Sequence, residues 1–188
     1  MSHRHLRFPA IALMAIVFAA CGTGAPSAAP SPTPLPAASS FEEYAVSFCS
    51  AWEALFQAVG NPDTGTGSVL SKALDEAVAA RDGPEAKRLA SEITAALESG
   101  RGDAAVAGGW PPAAPTMTQM DRLFVAFEAM IAAKAARATG EPDSVDPQAA
   151  FEQAGGVEAY FAMIEAMQAR PSAGQAGSQQ CPNLPVGP

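Results

Sequence analysis

The sequence predicts an all-α domain: a small bundle of four to five amphipathic helices with a C-terminal tail attached by one disulfide. Over residues 40–170, apolar residues recur at three- and four-residue spacing, and Gly and Pro residues separate the periodic segments. No segment shows the two-residue alternation or the β-branched run that is typical of a strand. A segment of about 130 residues is long enough to form one hydrophobic core.

The first helix is expected to begin at Ser40, which forms a Ser-x-x-Glu capping box with Glu43, and to end at Gly60. Its apolar side is rich in aromatic residues, which makes this helix the expected centre of the core. That side consists of Phe41, Tyr44, Ala45, Phe48, Trp52, Leu55, Phe56 and Val59.

The next two helices are expected over residues 68–81 and 84–100. Pro84 suits the first position of the third helix, and Gly100 is expected to end it. The apolar side of the second helix comprises Val69, Leu70, Ala73, Leu74, Ala77 and Val78, and that of the third comprises Leu89, Ile93, Ala96 and Leu97. Residues 101–115 have no helical period and are expected to form a loop.

The fourth helix is expected to begin at Thr116, which forms a second capping box with Gln119, and to stop at Gly140. Its apolar side comprises Met117, Met120, Leu123, Phe124, Phe127, Met130 and Ile131. The last helical region is expected to run from Asp146 to residue 170, with a kink or a break at two consecutive glycines, Gly155 and Gly156. Its core-facing side is predicted to consist of Phe151, Val157, Tyr160, Phe161, Ile164 and Met167.

The N-terminal segment has the pattern of an export signal. Two arginines precede an apolar run over residues 8–20, which is too short to cross a bilayer as a helix. Residues 18–22, Phe-Ala-Ala-Cys-Gly, resemble the lipobox of bacterial lipoproteins. The resemblance implies that residues 1–20 are a signal peptide and that Cys21 is acylated and becomes the mature N-terminus. The alternative is an ordinary secretory signal followed by an unrelated cysteine.

Four segments follow from this pattern: the signal peptide, a Pro-, Ala- and Ser-rich linker over residues 21–39, the helical domain over residues 40–170, and a tail over residues 171–188. The lipobox resemblance implies an extracytoplasmic protein, anchored to the membrane by the lipid on Cys21. The anchor would lie in the outer face of the cytoplasmic membrane, or in the outer membrane of a two-membrane bacterium.

Charge excludes one class of partner. Loss of Arg4 and Arg7 with the signal peptide leaves nine of the 11 basic residues against 19 acidic ones, a formal net charge of −10. So acidic a protein has no electrostatic footprint for a phosphate backbone, and nucleic-acid binding is therefore not expected.

Two cysteines remain after acylation of Cys21. Outside the cytoplasm, Cys49 and Cys181 are expected to form one disulfide that attaches the tail to the first helix. A metal site is not expected because both histidines, His3 and His5, lie in the signal peptide. A redox role is not expected because the chain has no Cys-x-x-Cys motif.

The leading functional hypothesis is a non-catalytic binding module without a cofactor, which contacts an envelope protein or a small apolar ligand. Methionine-rich surfaces adapt to varied partners, and Trp110 lies between Gly-Gly and Pro-Pro pairs, where a loop aromatic residue can anchor a partner. The candidate contacts are therefore Trp110, Met120, Met130, Met163 and Met167. The alternative interpretations are that the methionines fill the core and that Trp110 covers one end of it.

Two other functions stay open. Glu98 and Ser99 faintly resemble the Glu-Ser pair of lytic transglycosylases, although the rest of that family's pattern is missing. That resemblance implies a carboxylate-dependent enzyme acting on cell-wall glycan. The third alternative is a purely structural surface lipoprotein, which would have no specific ligand.

Overall fold

A computed structural model of the chain describes residues 36–61, 65–141, 145–169 and 181. Six helices are present in this part of the chain: α1 (Phe41–Val59), α2 (Val69–Ala80), α3 (Gly83–Ala107), α4 (Ala114–Ala138), α5 (Pro147–Gln153) and α6 (Gly156–Ala169). The predicted all-α fold is confirmed. The predicted signal peptide, Cys21 and most of the linker lie outside the described residues, as does the tail apart from Cys181.

Helix α1 has the aromatic core that its sequence predicts. Tyr44, Phe48 and Leu55 are at most 1% exposed, and neighbouring rings along the helix contact one another. The hydroxyl of Ser40 accepts a hydrogen bond from the backbone N–H of Glu43 at 3.2 Å, as the capping box predicts. The carboxylate of Glu43 differs from the prediction because it accepts from the backbone N–H and the hydroxyl of Ser39, at 2.7 and 2.9 Å.

The helices pack in a continuous series in which α3 and α4 are central. Helix α1 packs mainly on α3, α3 packs on α4, and α4 packs on α6, while α2 lies against both α3 and α4. The large side chains that are fully buried come from α1, α2, α3, α4 and α6: Tyr44, Phe48, Leu55, Leu74, Ile93, Leu97, Met120, Leu123, Phe124, Ile131 and Met163. The prediction for α2 was wrong at Val69, which is the first residue of the helix and is 86% exposed.

Helix α3 is longer than its sequence predicts. It continues through Gly100, its expected end, to Ala107. Gly100 is fully buried in the bundle, and a Cβ atom added to it would lie 2.7 Å from Cζ of Phe124 on α4 and 3.0 Å from Cβ of Ala54 on α1. The missing side chain therefore makes room for the Phe124 ring, so that Gly100 serves helix packing and does not terminate the helix.

This packing role can be tested with two glycines of the same helix. We expect Gly100→Ala to lower the free energy of unfolding by about 1–3 kcal/mol, because the added methyl group collides with the buried ring of Phe124. Gly102→Ala is the matched control and should raise the free energy of unfolding by about 0.5–1 kcal/mol, since no atom of another helix lies within 4 Å of its added Cβ and Ala favours helix. Urea unfolding followed by circular dichroism measures both, and shifts of the same sign would contradict the packing role.

The start of α4 also differs from the prediction. The helix begins at Ala114, and its N-cap residue, Ala113, makes no side-chain hydrogen bond. Thr116 is not the cap: it lies within the first turn, is fully buried, and its hydroxyl has no hydrogen-bond partner among the described residues. The predicted capping box was wrong because the turn over residues 110–113 already sets the start of the helix, with Ala113 N–H donating to the carbonyl of Trp110 at 2.9 Å.

A two-residue antiparallel ladder follows α1, where no strand was predicted. It joins β1 (Gly60–Asn61) to β2 (Thr66–Gly67). Gly60 has a φ of 100°, and a Cβ there would collide with the backbone of residues 66–68. The glycine that ends α1 therefore also allows the chain to return close to itself before α2.

The disulfide between Cys49 and Cys181 is confirmed. The two Cα atoms are 5.3 Å apart, and the bridge closes a loop with a sequence separation of 132. Cys181 is only 7% exposed and belongs to the hydrophobic core. The core also includes Ala38, which the sequence places in the linker; its N–H donates to the carbonyl of Val106 near the end of α3 at 2.9 Å.

The expected break in the last helical region is confirmed. Helix α5 ends at Gln153, Gly155 adopts a left-handed φ of 79°, and α6 begins at Gly156. Gly156 lies directly against the ring of Phe151, where a Cβ atom would not fit. The two short helices therefore form a tight corner, and α6 packs on α4 and α5.

Candidate interaction surface

The methionine candidates are mostly core residues. Met120 and Met163 are fully buried, so neither offers a surface to a partner in this conformation. Met130 and Met167 are partly buried and pack against the same core. The structure thus places these methionines mainly between packed helices, as the interpretation of a filled core predicts.

Trp110 folds back over the beginning of α1. Its ring stacks on that of Tyr44 at a centroid distance of 5.0 Å and meets the edge of Phe41 at 5.6 Å. Burial raises the pKa of the Tyr44 phenol well above its ordinary value. Trp110 therefore covers one end of the core, although its partial exposure leaves one side of the ring at the surface.

Three open grooves are lined by residues that the structure describes. The first, about 380 Å³, lies between α4 and the α5–α6 corner and is lined in part by Gln119, Arg122 and Glu158. The second, about 310 Å³, separates the end of α3 from the start of α4, and the third, also about 310 Å³, lies beside the β1–β2 ladder. Met120, Met130, Met163 and Met167 line none of these three grooves, which gives no support to a methionine-lined ligand site.

Several charged residues connect neighbouring helices. Arg101 on α3 pairs with Asp121 at 2.8 Å and with Glu128 at 3.5 Å, both on α4. Lys134 on α4 pairs with Asp75 on α2. The hydrogen bond to Asp121 raises the pKa of the Arg101 guanidinium, which stays charged. These pairs connect α3 with α4 and α2 with α4 near the protein surface.

Little in the described part of the chain resembles a catalytic or metal centre. Within the described residues, no group of three or more His, Cys, Asp or Glu side chains could hold a metal ion. Glu98 and Ser99 are both exposed on α3, and neither lines one of the three grooves. Burial raises the pKa of Asp103, but this residue also lies on α3 outside the grooves.

Helix α6 differs most from the sequence-based expectation. The buried side of α6 consists of small residues and one methionine: Gly156, which lies against Phe151 of α5, with Ala159 and Met163. Two residues of the predicted core-facing side, Val157 and Phe161, are 38% and 66% exposed. The prediction was wrong for this pair, because small residues allow α6 to approach α4 closely and the helix is apolar on more than one side.

Val157 and Phe161 lie beside two residues of α6 that pack against the core. Tyr160 and Ile164 are partly buried and pack against it, and the Tyr160 and Phe161 rings meet edge to face at 5.7 Å. Together, Val157, Tyr160, Phe161 and Ile164 have the i, i+3, i+4, i+7 spacing of one helix face. We call these four residues the α6 stripe. Its inner edge belongs to the core and its outer edge is open to solvent.

Unpaired carboxylates border the α6 stripe. Glu158 and Glu165 lie three residues before and four residues after Phe161, on the same side of the helix, and both are exposed. Neither forms an ion pair or a hydrogen bond with any described residue. The charged residues of α6 are Glu158 and Glu165, and the helix contains no basic residue. The surface of α6 around Phe161 is therefore both apolar and negative.

Comparisons with family models, with curated protein sequences and with solved structures give no match for this chain. Among the described residues, no helix is long and apolar enough to cross a membrane.

Proposed function

We propose that the protein is a lipid-anchored, non-catalytic binding module of the cell envelope. The observation that carries the binding role is the α6 stripe, whose four apolar residues form a continuous surface from the core to Phe161, which is 66% exposed. Contiguous apolar surfaces of this kind mark interaction sites, whereas single exposed apolar residues do not. The anchoring role rests on the resemblance of residues 18–22 to a lipobox.

The disulfide supports an extracytoplasmic location. Structural disulfides persist in oxidising compartments and are rare in the reducing cytoplasm. Cys181, one half of the Cys49–Cys181 disulfide, is buried in the core. The sequence contains no Cys-x-x-Cys motif, so a structural role for the disulfide is favoured over a catalytic one. An export signal at the N-terminus and a disulfide in the domain are consistent with each other.

The charged residues favour binding over catalysis. Arg101, Asp121, Glu128, Lys134 and Asp75 already pair across helices. The carboxylate-dependent alternative rests on Glu98, which is exposed on a helix surface and lines none of the three grooves described above. A small apolar ligand would need an apolar cavity, whereas the three grooves are open and partly polar.

Anchoring is tested by Cys21→Ser. If Cys21 carries the lipid, this substitution moves the protein from the membrane fraction to the soluble extracytoplasmic fraction, because stable anchoring requires the acyl chains. Fractionation and mass spectrometry of the N-terminal peptide measure the change, and Thr23→Ser in the same segment is the control that should stay on the membrane. An unacylated N-terminus in the unaltered protein, or the same partition for both variants, would contradict the proposal.

A further inference from the structure

We propose that the α6 stripe is the docking surface for a basic amphipathic helix of another envelope protein. This inference rests on the proposed function for its envelope setting, and it adds the location of the contact and the chemistry of the partner.

The apolar part of the surface fits the side of a helix. The first and last residues of the α6 stripe are seven residues apart in sequence, which corresponds to about 10 Å along the axis at the usual helical rise. The spacing i, i+3, i+4, i+7 is the one by which helices present anchor residues to each other. Phe161 is the most exposed of the four, at 66%, and its ring meets that of Tyr160 edge to face. A large aromatic side chain within an apolar surface is a typical anchor for a partner.

The charges define the partner. Glu158 and Glu165 border Phe161 and have no cationic partner among the described residues. Arg122, which lines the same groove as Glu158, forms no ion pair with it. Lysine or arginine residues beside an apolar stripe on the partner would pair with both carboxylates, and such complementarity sets specificity and speeds association.

The same charges disfavour other occupants. A membrane surface attracts amphipathic helices that are rich in Lys and Arg, whereas α6 has Glu158 and Glu165 beside its apolar residues. A second copy of this chain would bring like charges together across the interface. Residues 170–188 of the same chain contain Leu184 and Val186 as their large aliphatic residues, and these lack helical spacing.

Binding can be measured with designed peptides. The probe is an amphipathic helical peptide of Leu and Lys, and two controls are the same composition in scrambled order and the matching Leu and Glu peptide. The protein is the full mature chain with Cys21→Ser, oxidised, so that the result does not depend on the anchor. We expect fluorescence anisotropy to detect binding of the Leu and Lys helix and much weaker binding of both controls.

Matched substitutions locate the contact. Phe161→Ala should weaken binding about tenfold or more, whereas Val46→Ala, at a residue of α1 that is 68% exposed, should leave it unchanged. The pair Glu158→Gln and Glu165→Gln should weaken binding and reduce its salt dependence. The pair Glu42→Gln and Glu76→Gln removes the same charge from exposed positions on α1 and α2 and should have little effect.

Four results would overturn the inference. These are equal binding of the ordered and scrambled peptides, equal effects of Phe161→Ala and Val46→Ala, a monomer–dimer equilibrium that Phe161→Ala abolishes, or Phe161-dependent binding to phosphatidylcholine vesicles.

A photo-crosslinking amino acid at position 161, with position 46 as the control, tests the inference in cells. A crosslink to a basic amphipathic helix supports it, and a crosslink to residues 170–188 of the same chain contradicts it. Because Cys21 is replaced in the peptide assay, failure here leaves the anchoring test unaffected.

Discussion

Reduction of the Cys49–Cys181 disulfide is expected to lower the free energy of unfolding by about 3–5 kcal/mol. The bridge closes a loop with a sequence separation of 132, and the chain-entropy model assigns about 5 kcal/mol to a loop of that length. Measured values are often smaller than the model gives, which sets the lower end of the range. The bridge also holds Cys181 in the core against α1, so part of the loss reflects weaker packing at that position.

Urea unfolding of the Cys21→Ser chain, with and without reductant, measures this difference. Trp52 and Trp110 both lie in or against the core and report on unfolding by their fluorescence. In the control variant Cys49→Ala with Cys181→Ala, reductant should have no effect on the midpoint. Two free thiols in protein isolated from the envelope, or equal stability of the oxidised and reduced chains, would contradict a stabilising disulfide.

Two apolar residues of α6 are expected to differ widely in how much their truncation lowers the free energy of unfolding. Met163→Ala should lower the free energy of unfolding by about 2–5 kcal/mol, because Met163 is fully buried and its removal leaves a cavity between α6 and the rest of the core. Phe161→Ala should change it by no more than about 0.5 kcal/mol, because the ring is 66% exposed and most of it already contacts water.

The same urea experiment compares these two variants with Val46→Ala, whose side chain is 68% exposed and should behave as Phe161→Ala does. A large loss for Phe161→Ala would mean that the ring is covered in the folded protein, and it would remove the basis for the docking surface. A small loss for Met163→Ala would mean that α6 does not pack on α4 through Met163.

Local features of the sequence were enough to predict much of the fold. The aromatic side of α1, the cap at Ser40 and the break at Gly155 follow from interactions between residues close together in the chain. The disulfide was also predictable, although it is long-range, because Cys49 and Cys181 are the cysteines left once Cys21 is assigned to the lipid. Each of these predictions has few alternatives.

The errors have one physical origin. Gly100 has the sequence pattern of a helix end, but the ring of Phe124 from α4 occupies the space beside it and α3 continues. Thr116 has the pattern of an N-cap, but the turn before α4 starts the helix two residues earlier, at Ala114, and buries the hydroxyl. In both cases a residue's role depends on a neighbouring helix or turn that the local pattern does not contain.

In helix α6, the sequence determined the secondary structure, whereas the tertiary structure decided which side of the helix is buried. The sequence by itself determined that residues 156–169 form an apolar helix and that few charges lie on it. The sequence could not determine which side of α6 is buried. The side with large apolar residues and the side with small residues could each pack against the other helices. Packing against α4 and α5 decided this, because Gly156 lies against Phe151 of α5, Ala159 is buried beside it, and Met163 is fully buried in the core. That choice leaves Phe161 at the surface, where the proposed docking surface depends on it.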